Sequence, residues 1–406
     1  MKPTALLSSL LPLALLGGAA LAGDAEPVEA SAPVVPADTL QIRAKVVYPG
    51  DGSRIEDGLV LVSGGKITGV GSGADVNAAL PVLEHDGVLT AGMVVAHSWF
   101  GTGGLNHDET RAMLPTARIA HAFRADHSDF KKACEAGVTT MVLAPTAQNV
   151  AGGKTCVVKT NGEILKKEGH LALSFAKEAL RQGQRSVFFF FGDVEPAAVD
   201  DGFETSGGAS NGARYPTSYS GTVAALDEWM GSAAGAETRG ELPVLLEAWD
   251  RNEVARAAGF AKKHGLKGAV RGAPLAGEVL SVLKNSGLGV ILGPFDAGQS
   301  QRSLAGLPAL AKEGVPLAFS LGRSGSDPAF ARMSAAMAVG AGLDAGAAWD
   351  ALSSDAARIA GVESRVGRLA RGLDADLVFW SGNPIDLTSK VEAVFIDGKL
   401  VHGGAQ

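Results

Sequence analysis

The chain has 406 residues, 46% hydrophobic and 19% charged, with a formal net charge of −7. This is a globular composition, long enough for one large domain and a smaller one. Gly (54) and Pro (18) are abundant but stop short of low complexity, and an acidic chain without a basic patch is not built to hold nucleic acid.

In chain order, residues 1–22 read as a signal peptide. Lys2 is the only charge before Asp24, and the apolar run SSLLPLALLGGAALA ends in Ala20-Leu21-Ala22, a small-residue cleavage pattern. The expectation is export to the periplasm or the extracellular fluid. The run is too short for an anchor and no basic stop-transfer cluster follows, so no membrane span is expected after cleavage. Residues 23–38, GDAEPVEASAPVVPAD, have neither turn nor period and read as a disordered linker.

Residues 39–88 alternate apolar and polar positions between glycine turns, the pattern of short strands. From 89 to 365 strands and helices alternate. Strand-length apolar runs stand at 89–96, 138–143, 187–191, 242–246, 268–270, 288–292 and 315–320, with a weaker one at 156–159. The clearest helix spans 252–264, with Asn252 as its cap, Val254, Ala257, Ala258 and Ala261 on one face and Gly265 at its end. Helices at 275–283, 304–312 and 328–339 repeat the unit. About eight strands alternating with helices over roughly 270 residues predict an α/β fold, a (β/α)8 TIM-like barrel. No Gly-x-Gly-x-x-Gly follows the first strand, which argues against an open doubly wound sheet. Residues 366–403 return to short strands with Asp397-Gly398 as a hairpin turn. Paired with 39–88, they are predicted to form a composite β-sandwich.

Other features carry less chemistry. Cys134 and Cys156 lie on either side of a strand that spans roughly 20 Å, so both are read as buried thiols. The four aromatics at 188–191 read as a doubly buried strand. The loop at 193–221 is long enough to cover a ligand site. His107-Asp108-Glu109 reads as a solvated loop, and His121 and His127 lack metal-binding spacing. Ser320 has no His near it in the sequence, which gives no ground for a serine nucleophile.

Besides the opening hairpins from Ala44 to Gly71, three segments resemble the amidohydrolase superfamily, in particular its imidazolonepropionase-like members. They are VLTAGMVVAHSWFG from Val88, EAGVTTMVLAPTAQNVAGGKTCVVK from Glu135 and GRLARGLDADLVFWSGNPIDLTSKVEAVFIDGKLV from Gly367. The resemblance implies a barrel beside a small β-sandwich, and hydrolysis of non-peptide carbon–nitrogen bonds. It also implies one or two divalent metals such as zinc, which activate water.

Position by position, most of the metal ligands of that family are missing, and the first strand keeps only His97. Its first strand ends in His-x-His; here it reads His97-Ser98-Trp99, and an indole nitrogen only donates. The family's Pro-Val-x-x-His-Ala reads Pro243-Val244-Leu245-Leu246-Glu247-Ala248, which puts Glu247 at the ligand. The His-Gly that ends the sixth strand reads Arg271-Gly272. The Asp that ends the eighth is absent, with Gly322 or Leu321 in its place. The bridging carboxylated Lys has no clean equivalent; Leu171 or Ala172 falls near it. Arg271 adds a permanent positive charge where a dication belongs.

The expectation is therefore no cofactor and a metal-free pseudoenzyme whose vestigial pocket is formed by His97, Trp99, Glu247, Arg271 and Gly322. Its role would be that of a ligand-binding or partner subunit: it binds a small molecule, or forms a homo-oligomer, or pairs with an active relative. The alternative is an active hydrolase with an atypical site around His97, Glu247 and Arg271.

Overall fold

The computed structural model describes residues 39–103, 106–108, 110–180, 215–296 and 298–404. The signal peptide, the linker, the aromatic run at 188–191 and most of the loop at 193–221 lie outside the described residues. No described helix is long and apolar enough to cross a membrane.

The strands in chain order are β1 (Leu40–Tyr48), β2 (Ile55–Ser63), β3 (Lys66–Ser72), β4 (Val82–Ala91), β5 (Met93–Trp99), β6 (Val138–Leu143), β7 (Ala151–Lys154), β8 (Cys156–Lys159) and β9 (Ile164–Lys166). They continue as β10 (Leu171–Ser174), β11 (Val244–Ala248), β12 (Gly268–Gly272), β13 (Gly289–Leu292), β14 (Leu317–Arg323), β15 (Leu377–Trp380), β16 (Val391–Ile396) and β17 (Lys399–Gly403).

Both ends of the chain share one seven-stranded sheet, ordered β17-β16-β15-β4-β1-β2-β3. β4 joins the halves: it runs parallel to β1 on one side and antiparallel to β15 on the other. The second sheet has ten strands, ordered β7-β10-β11-β12-β13-β14-β5-β6-β8-β9. From β10 through β14 and β5 to β6 every pairing is parallel. β7 and β8 flank this run on opposite sides, yet Thr155 alone separates them in the chain, so the sheet must curl back on itself. The strand at 156–159 thus exists, but it runs antiparallel to β6.

Two sequence expectations change. The run at 89–96 is two strands in two sheets, broken at Gly92. A Cβ there would lie 2.0 Å from Thr139 Oγ1, so only glycine lets the chain pass between the sheets. The strand beside β11 is β10, hydrogen-bonded on its other edge to β7. Its four residues are too few to show a period in the sequence.

The helix is Arg251–His264, and its cap is Asp250, not Asn252. Asp250 accepts from Glu253 N at 2.8 Å while the Glu253 carboxylate accepts from Asp250 N, a reciprocal capping box. Gly265 ends it in the left-handed region at φ 65°.

One apolar cluster gathers Val94, Val142, Val157, Leu245, Ala269, Ile291 and Ala318 from seven strands, together with Ala356, Ala357 and Ala360 of the helix Ser354–Ala360. Side chains from that many strands meet only on a concave face, so this cluster is the inner layer of the curled sheet. The terminal sheet is fastened to it by Lys159 on β8, which is fully buried. Its ammonium reaches Asp374 at 2.7 Å, Asp376 at 3.0 Å and Asp397 at 2.5 Å. Cys134 and Cys156 are free and buried.

Candidate functional site

Side chains two apart on a strand share a face. Leu245, Ala269 and Ala318 line the inner layer, so Glu247, Arg271 and Ser320 stand on the same face two residues further along β11, β12 and β14. On β5 the alternation is interrupted: the register against β6 shifts between Val95 and Ser98. This irregularity turns His97 and Trp99 inward and Ser98 out toward the sulfur of Met141. A polar layer therefore lies above the apolar one.

His97, Glu247, Arg271 and Ser320 are all buried. Arg271 Nη1 donates to Glu247 Oε2 at 2.9 Å. His97 Nε2 lies 3.5 Å from the other carboxylate oxygen, and His97 Nδ1 lies 3.0 Å from Ser320 Oγ. Ser320 Oγ also accepts from Gly322 N at 3.1 Å. The Arg271 guanidinium is stacked between two indoles, with its carbon 5.1 Å from the Trp99 ring centre and 4.5 Å from that of Trp249. Trp99 is held by its own N–H, which donates to Pro145 O at 3.2 Å. Trp249, the residue after β11, is 37% exposed and forms the outer side of the stack.

Burial sets the protonation here. It pushes the His97 imidazole well below its ordinary value, and the Arg271 charge adds to the effect, so His97 is neutral. Burial pushes Glu247 up, while Arg271 opposes it by charge and hydrogen bond. Among the described residues, His97 Nε2, Glu247 Oε1 and Arg271 Nε have no hydrogen-bond partner.

The structure thus brings His97, Trp99, Glu247 and Arg271 together. Gly322, paired with Ser98 across β14 and β5, plays a different part. Its φ is 74°, and a Cβ would lie 3.2 Å from Pro294 Cγ, so its backbone turns the end of β14 where a carboxylate-bearing residue would be strained. Leu321 belongs to the outer apolar core. The sequence shows no histidine near Ser320 and gives Trp249 no role. Ser320 meets His97 only because β14 pairs with β5, across 223 positions of chain.

The residues present do not fit the divalent metal that a fold of this kind implies. Among the described residues the nitrogen and oxygen donors at the centre are one imidazole, one carboxylate already tied to a guanidinium, and the Ser320 hydroxyl, which is bonded to the Gly322 N–H. Among the described residues no group of three or more His, Cys, Asp or Glu is placed to hold a metal ion.

Residues 230–401 match the sequence pattern of the amidohydrolase family. None of the curated proteins matches the chain in sequence. In three dimensions the chain is similar to an amidohydrolase from Thermotoga maritima MSB8, with a TM-score of 0.70 and 22% identity over 90% of this chain and 100% of that one. It is also similar to A. niger ochratoxinase, with a TM-score of 0.53 and 17% identity over 90% and 96% of the two chains. Molinate hydrolase is similar at a TM-score of 0.56 and 14% identity, over 90% and 94%. The C-terminal part of the chain thus resembles the amidohydrolase family in sequence, and the chain shares the fold of solved amidohydrolases.

Proposed function

We propose that the chain is an exported, metal-free member of the amidohydrolase superfamily that serves as a ligand-binding or partner subunit rather than as a hydrolase. Its architecture is read as a (β/α)8-type barrel in which β7 and β8 run antiparallel to seven parallel strands. The observation that carries this reading is the Arg271–Glu247 pair at 2.9 Å, stacked between Trp99 and Trp249. A fixed positive charge and an indole stand at two of the positions where the superfamily supplies imidazole ligands, and neither binds a cation. Ion pairing and stacking hold the centre where relatives use metal bonds. Metal analysis of the purified mature protein tests this. A metal-free, folded chain is expected; zinc or another divalent ion at one equivalent would overturn it.

A second reading keeps catalysis at an atypical site around His97, Glu247 and Arg271. It is favoured by the series of a hydroxyl, an imidazole and a carboxylate formed by Ser320, His97 and Glu247. Against it, Ser320 is fully buried and already accepts the Gly322 N–H. Labelling by a fluorophosphonate that is lost in Ser320→Ala would favour this second reading; no labelling is expected.

A further inference from the structure

A cleft of about 570 Å³, measured out to its open mouth, lies where the end of β1 meets the helix Ala345–Asp350 and the loop after β15. It shares no residue with the barrel centre. Tyr48, Trp349 and Ile385 supply its apolar walls, and Asp350 supplies a carboxylate.

The walls are held in place. Arg332, buried against the Trp380 ring, donates to Pro384 O at 2.8 Å, Asp386 O at 2.6 Å and Ser389 O at 3.1 Å, which fixes the loop that carries Ile385. Trp349 packs edge-on against Trp380 at 6.2 Å. On the opposite side, Asp51 accepts from Ser53 N at 2.9 Å and shapes the turn after Tyr48.

Two charged residues line the cleft, Arg54 and Asp350. Asp350 is half-buried and accepts a hydrogen bond from Ser354 Oγ at 3.1 Å. Burial pushes its carboxyl up, Asp355 and Asp344 add to that push, and the Ser354 hydrogen bond and the Arg358 charge oppose it. The nearby cations are engaged elsewhere. Arg358 is bonded to Asp355 and Arg54 pairs with Glu56 at 2.7 Å, while Arg368 acts on Asp51. Among the described residues no cation is bonded directly to Asp350, and a carboxylate so placed at an apolar wall is stabilised by a cation that arrives with a ligand. Two aromatic rings beside it suit an alkylated cation better than a hydrated metal ion.

We propose that this cleft binds an organic ammonium ion, with the charged head between the rings of Trp349 and Tyr48 and the carboxylate of Asp350. Primary amines and quaternary ammonium compounds share this chemistry. The preformed walls mean that little ordering is required on binding.

The test is calorimetry on the intact chain with three probes: choline, n-butylammonium and 3,3-dimethylbutan-1-ol, the uncharged analogue of choline. At least one cation should bind saturably, and the alcohol at least tenfold more weakly. Preference between the two cations identifies the subclass. Asp350→Asn should weaken the bound cation tenfold or more and leave the alcohol unchanged. If Asp350→Asn does not fold, Tyr48→Leu replaces it, with a loss of at least threefold expected. Absence of saturable binding by both cations, equal binding of the alcohol, or unchanged affinity in the folded variant would overturn the proposal. None of these results depends on whether the barrel centre holds a metal.

Discussion

Arg271 and Glu247 sit directly opposite each other on adjacent parallel strands, and their charged ends meet at 2.9 Å with both side chains buried. Two charges have left water together, so each is the other's main compensation. Such a pair adds little net stability compared with an apolar pair, but breaking it strands a buried charge.

The ion pair therefore predicts a non-additive mutational cycle. Arg271→Met should destabilise the fold by about 3–5 kcal/mol, because Glu247 is left buried without a cation. Adding Glu247→Leu should restore most of that loss. Urea denaturation of the two singles and the double measures it, and additive losses would show that the pair is not coupled as described.

Restoring one histidine should not restore a metal site. In Trp99→His the imidazole returns to the inner face of β5, but Arg271 still neutralises Glu247 and Gly322 still offers no carboxylate. No zinc binding is expected by calorimetry. Micromolar or tighter binding by this single variant would mean that the site is only lightly disabled.

Acid sensitivity follows from His170. Burial pushes its imidazole down to about 4, with Nε2 at 2.7 Å from Ile359 O and Nδ1 at 3.1 Å from Thr155 Oγ1. In the unfolded chain it titrates near ~6.5. Between these values the unfolded state takes up a proton that the folded state does not. The stabilisation is thus complete above the unfolded value and is lost as pH falls toward the folded one, by about 3 kcal/mol in all. The neutral His97 acts in the same direction. Denaturation midpoints at pH 7.5, 5.5 and 4.5 should fall steeply in the native chain. His170→Gln, although less stable at pH 7.5, should show a flatter dependence; an identical slope in both would count against this assignment.

The thiols should be silent in the folded protein. Burial pushes Cys134 and Cys156 each up to about 11, and neither is bridged. A thiol reagent at pH 8 should modify neither natively and both in denaturant. Rapid native labelling would show that one of them is reached by solvent.

Export is tested by the N-terminus. Protein from its native host should begin at or near Gly23 and appear in the periplasmic or extracellular fraction. Retention of Met1 in a cytosolic fraction would remove that part of the reading.

The sequence by itself determined the class of fold and the residue types at its centre. Alternation and glycine turns at both ends announced the terminal strands, because period-two patterning is local. The strand Val138–Leu143 was legible for the same reason, as was the end of the helix Arg251–His264 at Gly265. Trp99, Glu247 and Arg271 could be placed by comparison with a family pattern. Only the tertiary structure decided what those residues do. The pairing of β14 with β5 brings Ser320 to His97, and the irregularity in β5 turns His97 and Trp99 inward. Trp249 joins Arg271 because the chain leaves β11 beside the end of β12. Each of these contacts joins residues far apart in the chain. Strand register and curvature set them, and both are properties of the whole sheet that no local window of sequence contains.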